Sequence, residues 1–247
     1  MYHFFTDGTL LENAEISISG ADHNHIKNVL RMRTGDTVVV TGGDGSPFFC
    51  RITSFESAST HLKVLGPAPE TELSAEITLY QGFPKGDKLE SIIQKSVELG
   101  AARIVPVLME RCVARPDPGK LASRLKRWQS IAQSAAEQSG RSVVPEVFPV
   151  MTYRDALTDA AGSLIVVPYE KADGMDSLAE VAANMGKTAR LSVFIGPEGG
   201  FSENEIAMAR SAGAVEVSLG RRILRTETAG PALIAFLMLT DEINHRG

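Results

Sequence analysis

The sequence predicts an α/β protein in which a small β-rich unit precedes a mostly parallel sheet covered by helices. Two observations lead to this fold class. From about residue 76 onward, apolar runs of strand length alternate with longer amphipathic stretches. Before about residue 66, short segments of alternating apolar and polar residues are separated by glycine-rich turns. Between them, GPAPETELSAE at 66–76 carries two prolines and three acids, so it is the predicted linker.

The first unit is predicted to hold four strands and one helix. The strands are EISISG, DTVVVTGG, FFCRITSF and THLKVLG, and the helix, DHNHIKNVLRM, lies between the first two. We expect Asp22 to cap this helix, and Ile26, Val29 and Leu30 to share its buried face.

Two histidines in this helix raise the question of metal binding. His23 and His25 are two residues apart, so on a helix their side chains point in different directions. No carboxylate or cysteine pair accompanies them. Capping and surface roles are therefore favoured, and no metal site is predicted.

The second unit is predicted to contain five strands, EITLYQGF, ARIVPVLM, SLIVVPYE, LSVFIG and AVEVSLG. Asp87 is expected to cap a helix that ends at Gly100. The longest helix is expected over 118–139, with Trp128 on its inward face.

Composition and cysteine usage narrow the class of protein. The chain is 43% hydrophobic and 22% charged, as globular proteins usually are. Cys50 and Cys112 are too few for a disulfide framework, which indicates a reducing compartment and a cytoplasmic location. The first residues, MYHFFTDGTLLENAE, do not resemble a signal peptide, and the longest apolar run, at 232–240, is too short to span a bilayer. No membrane association is expected.

Charge is distributed unevenly along the chain. The net charge of −5 argues against indiscriminate nucleic-acid binding. Residues 73–150 nevertheless carry 11 basic and 8 acidic side chains, whereas 1–72 carry 5 and 9. Within 111–127, six basic residues accompany only Asp117. This run indicates either a solvated helix face or a surface for an anionic partner.

Three loops follow three consecutive predicted strands. They read PYEKADG, GPEGGFSENE and GRRILRTETAG. The carboxyl ends of parallel strands meet at one edge of a sheet, and ligand sites of open α/β sheets form there. The three loops are therefore predicted to build a single pocket.

The loop GPEGGFSENE is predicted to be a tight connection from a strand to a helix. Ser202 and Glu205 have the spacing of a capping box, and the glycines allow a sharp turn or a close approach to a ligand. The loop lacks the lysine of a P-loop, and Glu198 would repel phosphate, so a nucleotide-phosphate site is disfavoured. A plain turn remains an equal alternative.

In the last loop, Thr226 or Thr228 can cap the final helix. Thr228 is favoured because Pro231 then falls in the first turn, and Glu227 sits well at the positive helix end. Glycines, backbone amides and hydroxyls suit a small neutral or zwitterionic ligand. The three neighbouring arginines suit an anionic partner.

Five motifs in order now identify a family resemblance. They are HNHIKNVLRMRTGD, QGFPKGDKLESIIQKSVELG, AEQSGR, IGPEGGFSENE and LGRRILRTETA. Together they closely resemble the bacterial 16S rRNA uridine-N3 methyltransferases, a branch of the SPOUT superfamily of RNA methyltransferases. The resemblance covers nearly the whole chain. One departure is Cys112, where the family often has serine.

The resemblance implies a fold and an activity. It implies a PUA-like RNA-binding β-barrel domain at 1–70 and a SPOUT α/β methyltransferase domain with a C-terminal trefoil knot at 74–247. It also implies S-adenosylmethionine in the knot loops, a homodimer, and methyl transfer to N3 of uracil 1498 in the 16S rRNA of the small ribosomal subunit. Knots are very rare, so the pattern alone predicts an unthreaded sheet.

The resemblance also directs the choice of site residues. We expect Arg225 to stabilise the uracil anion, with Glu198 and Glu227 as candidate proton acceptors, although Glu227 is favoured as a helix cap. The expected cofactor contacts are Val167, Pro168, Ile195, Gly196, Pro197, Gly200, Leu219, Gly220, Ile223, Leu224, Thr228 and Ala229. The expected RNA contacts are Arg31, Arg33, Lys85, Arg111, Arg115, Arg124, Arg141, Arg221 and Arg222. Arg221 and Arg222 have an alternative, which is pairing with acids such as Glu198 and Glu216.

Two alternative functions remain at this point. One is a SPOUT enzyme that methylates another base or a ribose 2'-hydroxyl. The other is a non-catalytic RNA-binding factor that uses both domains as a clamp. A dinucleotide-dependent metabolic enzyme is disfavoured because the glycine fingerprint is missing.

Overall fold

The computed structural model describes residues 1–172, 174–185 and 188–245. The chain forms two compact units. One comprises Met1–Glu72 and Ala136–Val144, and the other comprises Leu73–Ala135 and Pro145–Gly247. The segment AEQSGR, which the family resemblance placed in the domain at 74–247, thus begins a return of the chain to the first unit.

The first unit is built on a five-stranded sheet. Its strands are β1 (His3–Phe5), β2 (Glu15–Ser19), β3 (Thr37–Thr41), β4 (Pro47–Phe55) and β5 (Ser59–Pro67). Their order in the sheet is β1-β3-β4-β5-β2, with β1 parallel to β3 and the other pairs antiparallel. The four predicted strands are confirmed. Strand β1 was missed because three residues are too short to show an alternating pattern.

The helix of the first unit departs from α-helical geometry. Helix α1 (Gly20–Asn24) runs directly into a π-helical turn at His25–Val29. Ser19 is at the N-cap position, so the prediction that Asp22 caps the helix is wrong. Ile26 is buried as predicted, but Val29 is 63% exposed, because a widened turn rotates later residues away from α-helical spacing.

The two histidines of this helix have separate local roles. His23 is buried, and its Nδ1 lies 2.8 Å from Thr60 Oγ1, so the expectation of a surface position is wrong for this residue. His25 contacts Phe4 edge-on, with ring centroids 6.2 Å apart. Within the described residues, no three His, Cys, Asp or Glu side chains form a potential metal-binding group.

The segment 136–144 is attached to the first unit through Glu72. The Glu72 carboxylate accepts hydrogen bonds from the Arg141 guanidinium and from the backbone N–H of Ser142 at 3.0 Å. Thr71 Oγ1 donates to the Gly140 carbonyl at 3.1 Å. Arg141 is only 4% exposed, so its charge is satisfied inside the protein.

The second unit contains a parallel sheet of seven strands. They are β6 (Glu76–Gly82), β7 (Ala101–Leu108), β8 (Glu146–Val147), β9 (Met151–Thr152), β10 (Leu164–Pro168), β11 (Arg190–Ile195) and β12 (Val215–Val217). The order is β12-β10-β11-β6-β7-β8, and β9 also pairs with β7. All of these pairs are parallel. The five predicted strands are confirmed, and the two-residue strands β8 and β9 were missed.

Helices connect these strands. They are α2 (Lys88–Glu98), α3 (Pro118–Ser139), α4 (Tyr153–Asp159), α5 (Asp176–Ala183), α6 (Glu203–Ser211) and α7 (Thr226–His245). Helix α3 has the predicted bounds, and Trp128 is buried as expected. No helix in the described part of the chain is long and apolar enough to cross a bilayer.

The path of the chain after β12 matters most for the site. Strand β12 is at the edge of the sheet, yet α7 packs on α2, β6 and β11, in the middle. The segment 218–225 therefore carries the chain back across the sheet edge. The ends of β6 and β11 are closely packed, since a Cβ on Gly82 would lie 2.5 Å from the Pro197 nitrogen.

Candidate active site

The three predicted loops do follow neighbouring strands. Strands β12, β10 and β11 are adjacent and parallel, so their carboxyl ends lie at one edge of the sheet. The prediction that the loops share this edge is confirmed. The first loop, PYEKADG, includes Asp173, which lies outside the described residues.

The loop after β11 is held by a capping box, as predicted. Ser202 Oγ accepts from the Glu205 N–H at 3.2 Å, and Glu205 Oε2 accepts from the Ser202 N–H at 2.8 Å. The other Glu205 oxygen accepts from the Glu110 N–H at 2.8 Å. Gly200 has φ of +67°, a conformation that L side chains rarely adopt. The loop therefore turns tightly and exposes bare backbone.

Helix α7 begins earlier than predicted. Its first residue is Thr226, and the Arg225 carbonyl accepts from the N–H groups of Thr228 and Ala229 at 2.8 and 2.9 Å. Arg225 therefore precedes the helix, and the prediction of Thr228 as N-cap is wrong. The prediction failed because it assumed that Pro231 lies in the first turn of the helix. Pro231 lies in the second turn, where its missing N–H leaves one backbone carbonyl without a helical partner.

Thr226 connects three segments of the second unit. Its hydroxyl donates to the Gly196 carbonyl at 2.7 Å and accepts from Gln81 Nε2 at 2.8 Å. Gln81 Nε2 also donates to the Gly82 carbonyl at 3.0 Å. The end of β6, the loop after β11 and the start of α7 are thus joined by one chain of hydrogen bonds.

A lysine joins the two glutamates that were predicted as proton acceptors. Lys88 Nζ lies 3.0 Å from Glu198 Oε1 and 3.3 Å from Glu227 Oε2. The backbone N–H of Lys85 donates to Glu198 Oε1 at 3.1 Å. Glu227 Oε2 is buried and has no hydrogen bond of good geometry within the described part of the chain, so its attraction to Lys88 is electrostatic.

These contacts lower the pKa of both carboxyl groups. Burial would raise the pKa of Glu198, but hydrogen bonds from its own N–H, Lys88 and the Lys85 N–H outweigh it and lower the pKa. The pKa of Glu227 is lowered mainly by a hydrogen bond from its own N–H, with a further contribution from Lys88. The pKa of Lys88 is raised, first by its hydrogen bond to Glu198. All three groups are therefore charged at neutral pH.

The three arginines of the last loop are free. Arg221, Arg222 and Arg225 are exposed, and within the described residues no side chain pairs with their guanidinium groups. The suggested alternative partners are engaged elsewhere, because Glu198 binds Lys88 and Glu216 binds Arg210 Nε at 2.5 Å. Pairing with these acids is therefore contradicted.

The predicted cofactor residues lie in and before these loops. Val167, Ile195 and Pro197 are buried, so their side chains pack in the core beneath the loops. Ile223 is 92% exposed, a large apolar side chain presented beside the loops. The remaining predicted contacts are partly or fully exposed: Pro168, Gly196, Gly200, Leu219, Gly220, Leu224, Thr228 and Ala229.

The predicted RNA contacts of the second unit divide into two groups. Lys85 and Arg115 are exposed, with no side-chain partner among the described residues. Arg111 and Arg124 have contacts within the second unit. Arg111 Nη1 donates to the Gly199 carbonyl at 3.3 Å, and the Arg124 guanidinium lies over the Phe83 and Trp128 rings, 5.5 and 5.3 Å from their centroids.

In the first unit, Arg31 and Arg33 are exposed, and their side chains contact no partner that the structure describes. Arg31 has φ of +53°, an unusual conformation for a residue with a side chain. Arg141 differs, since it is buried against Glu72. Its guanidinium is not presented to a phosphate, so the expectation of an RNA contact is contradicted at this residue.

Comparison with known proteins identifies the family. A family model described as an RNA methyltransferase domain matches residues 71–238, and one described as an RNA methyltransferase PUA domain matches residues 18–60. The chain belongs to this RNA methyltransferase family.

Similar proteins carry a more specific name. Ribosomal RNA small subunit methyltransferase E of Bacillus subtilis is 36% identical over 88% of this chain and 87% of its own. The enzyme of the same name from Neisseria gonorrhoeae, solved bound to S-adenosylmethionine, is 34% identical over 97% of both chains, with a TM-score of 0.84. A Legionella pneumophila methyltransferase in complex with the same cofactor is 28% identical over 96% of this chain and 97% of its own, with a TM-score of 0.82.

These likenesses confirm the predicted fold class. This RNA methyltransferase has a SPOUT-type α/β trefoil-knot domain and an N-terminal PUA-like β domain. The return of the chain from β12 to α7 is the part of this fold that the strand and helix pattern did not predict.

Sequence reasoning did not single out three residues whose side chains hold these loops together. Lys88, Gln81 and Thr226 each make contacts across more than a hundred positions of the chain. Thr226 alone carried a signal, since a hydroxyl residue before a helix is a candidate cap. The polar Gln81 near the end of an apolar strand was a weaker signal.

Proposed function

We propose that this chain transfers a methyl group from S-adenosylmethionine to N3 of a uridine in the 16S rRNA of the small ribosomal subunit, at the position that the family resemblance gives as uracil 1498. The observation that carries the proposal is the edge where β10, β11 and β12 end. There glycine-rich loops adjoin three arginines that have no side-chain partner among the described residues. The names of the relatives support the same conclusion.

The loops suit S-adenosylmethionine because their backbone is bare. A Cβ on Gly196 would lie 3.2 Å from the Gly200 carbonyl carbon, and a Cβ on Gly199 would lie 2.9 Å from Arg111 Cβ. Gly220 has φ of +92°. Side chains are thus disfavoured at these positions, so a ligand can approach the backbone of the loops closely, although the Gly196 and Gly199 carbonyls already accept hydrogen bonds from Thr226 and Arg111. Ile223 and Leu224 provide apolar surface for an adenine ring.

The reaction needs an aligned acceptor and a stabilised charge. When bound, S-adenosylmethionine supplies an electrophilic methyl group. Uracil N3 must lose its proton, which passes to solvent water, and the negative charge then spreads to the two flanking carbonyl oxygens. Holding the base in line is worth roughly 7–11 kcal/mol in well-oriented systems. Arg225, exposed and directly before α7, donates hydrogen bonds to one of these oxygens.

Glu198 and Glu227 have a positioning role in this proposal. Their lowered pKa values make them weaker bases than free glutamate, whereas proton transfer from uracil favours a stronger base. Both are attracted to Lys88, which ties the loop after β11 and the start of α7 to helix α2. This arrangement favours a structural role over proton transfer.

The RNA is bound by exposed basic residues in both units. In the first unit these are Arg31 and Arg33. In the second unit, Arg221 and Arg222 belong to the loop after β12. Lys85 and Arg111 contact the loop after β11, and Arg115 follows β7 in the chain. Salt-dependent phosphate contacts of this kind explain how an acidic chain binds RNA.

The enzyme acts as a homodimer in this proposal. Phe236, Leu239 and Ile243 form a stripe at helical spacing on α7 and are 39, 56 and 75% exposed. Such a stripe on a helix of the catalytic unit suits a second copy of the same surface. A cytoplasmic location is supported by the two free, buried cysteines, Cys50 and Cys112.

The deciding experiment is methyl transfer from labelled S-adenosylmethionine to small ribosomal subunits that lack the modification. Mapping by mass spectrometry is expected to place the label on N3 of one uridine. Label on a ribose 2'-hydroxyl or another base would identify a different SPOUT activity. Absence of binding heat with S-adenosylmethionine in calorimetry would instead identify a non-catalytic RNA-binding factor.

A further inference from the structure

Gln81 is an unusual residue for its position. It lies near the end of β6, between β11 and β7 in the middle of the parallel sheet, and it is fully buried. Its neighbours along the strand, Leu79 and Tyr80, are also buried. Burying an amide among apolar residues is unfavourable unless the amide is hydrogen-bonded. Its Nε2 has two acceptors, whereas its Oε1 is buried with no hydrogen-bond partner among the described residues, so the burial is compensated through Nε2 alone.

Those contacts lead to the proposed cofactor loop. In the sheet register, Gln81 is paired with Ile195, the residue directly before Gly196. Its Nε2 donates to Thr226 Oγ1 at 2.8 Å, and this hydroxyl has only one proton to donate, which goes to the Gly196 carbonyl at 2.7 Å. The order of donors is thus set as Gln81 to Thr226 to Gly196. We call this chain the Gln81–Thr226 relay.

The relay joins the two halves of the proposed site. Gly196 begins the loop after β11, which we assign to the cofactor. Thr226 follows Arg225, which we assign to the uracil, and precedes Glu227, which is attracted to Lys88. Thr226 is nearly buried, so water does not readily replace the relay. Its hydroxyl therefore sets the position of Arg225 relative to the Gly196 carbonyl.

We propose that Gln81 and Thr226 are positioning residues for methyl transfer, which hold the cofactor loop and Arg225 in one register through the Gln81–Thr226 relay. This inference rests on the function proposed above. It adds two residues that act through Gly196 and Arg225.

The test replaces the Thr226 hydroxyl by a methyl group of similar size. Thr226→Val is expected to raise the calorimetric Kd for S-adenosylmethionine roughly tenfold, the factor that corresponds to one lost buried hydrogen bond. It is also expected to lower kcat. Thr226→Ser keeps the hydroxyl and is expected to restore both values to within about threefold of wild type. Rescue by serine separates the hydroxyl from the packing of the side chain.

Two further variants complete the design. Gln81→Met removes the first donor and is also expected to raise the Kd for S-adenosylmethionine. The Kd of the double variant is expected to be no higher than that of the more weakly binding single variant, because both substitutions remove one shared interaction. Thr158→Val is the matched control, since Thr158 Oγ1 also donates to a backbone carbonyl, that of Arg154 at 3.1 Å, on α4. Melting curves establish that each variant is folded.

The outcomes are distinct. Folded Thr226→Val with a Kd and kcat within about twofold of wild type would overturn the positioning role. Failure of both Thr226→Val and Gln81→Met to fold would make the relay a requirement of stability only, and would overturn it as well. Wild-type protein that gives no heat with S-adenosylmethionine would refute the proposed function, and the positioning role with it.

Discussion

Arg225 is the residue on which the proposed chemistry depends most. Its guanidinium is free of partners among the described residues, while its backbone carbonyl is fixed by the first turn of α7. Arg225→Ala is expected to lower kcat by about 10² to 10³, the usual effect of removing one donor to a developing anion. Calorimetry is expected to show nearly unchanged binding of S-adenosylmethionine.

Arg222→Ala is a suitable control for this prediction, because Arg222 is equally exposed in the same loop. It is expected to weaken RNA binding with little change in kcat at saturating RNA. Equal losses of turnover and cofactor affinity in Arg225→Ala would mean that Arg225 belongs to the cofactor loop instead.

Lys88 gives a prediction about pH. The pKa values of Glu198 and Glu227 are lowered in the folded protein, so their contribution to stability is present above the ordinary glutamate range and is lost as pH falls through the folded pKa. Lys88→Met is therefore expected to destabilise the protein near pH 7, with a difference from wild type that shrinks below about pH 4. Denaturant midpoints measured across this range check it.

Lys95→Met, an exposed lysine on the same helix, is the control and is expected to show no such pH-dependent difference. A Lys88→Met variant whose destabilisation stays constant down to low pH would show that the two carboxylates are not its partners.

At the residue scale, spacing in the sequence predicted contacts between residues that are close to one another in the chain. Ser202 and Glu205 are three positions apart, and the capping box between them is present as expected. Lys88 is far along the chain from both carboxylates that it contacts, and no periodicity or motif reports such a pair. The same holds for Arg141 and Glu72, so a basic residue predicted to bind RNA turned out to be buried and paired.

At the element scale, α7 has a face that its own unit leaves exposed. Leu239 is the central residue of the stripe formed with Phe236 and Ile243. In a two-fold dimer, Leu239→Glu would place two carboxylates in the apolar contact, so we expect a dimer to become a monomer. Sedimentation velocity measures this change directly.

Ala207→Glu introduces the same charge on the exposed surface of α6 and is expected to leave the dimer intact. A wild-type protein that sediments as a monomer would contradict the proposed assembly.

The basic segment between β7 and α3 leads to a prediction about salt. Arg115 is exposed without a described partner, so we expect Arg115→Ala to reduce the slope of log affinity against log salt for rRNA by about one unit. Filter binding over a range of salt concentrations measures the slope.

The control is Arg127→Ala, since Arg127 Nε is held by Glu90 Oε1 at 2.7 Å and is not free to bind phosphate. Arg127→Ala is expected to change the salt slope less than Arg115→Ala does. Wild-type binding that is insensitive to salt would refute the assignment of this surface to RNA.

The elements themselves were largely predictable. Alternation and amphipathic stripes predicted nine strands and the long helices α2, α3 and α7 in their correct order, because these patterns come from the geometry of a strand or helix facing a core. Failures occurred where an element was too short for a pattern, as in β1, β8 and β9. They also occurred where geometry was irregular, as in the π-helical turn that exposed Val29.

At the scale of the whole molecule, the chain visits the first unit twice. The segment Ala136–Val144 belongs to that unit, and the buried pair of Arg141 with Glu72 fastens it. The Glu72 side chain is 27% exposed and keeps the Ser142 N–H as a donor, so Arg141→Met is expected to lower the free energy of unfolding by about 1–3 kcal/mol. Urea denaturation measures the loss.

Arg51→Met, at an exposed position of β4 in the same unit, is the control and is expected to change stability by no more than about 0.5 kcal/mol. The salt slope of RNA binding is expected to be the same in Arg141→Met and wild type. An Arg141→Met variant with wild-type stability and a reduced salt slope would instead show that Arg141 binds RNA.

By itself, the sequence determined the family, the order of strands and helices, and the edge of the sheet where the three loops lie. Motifs and periodicity carry this information because each depends on residues that are near one another in the chain. Only the tertiary structure decided that α7 returns to the middle of the sheet, that Gln81 and Thr226 join its start to Gly196, and which charged groups are paired or free. Those features depend on contacts between distant residues, which the fold creates and which no local pattern records.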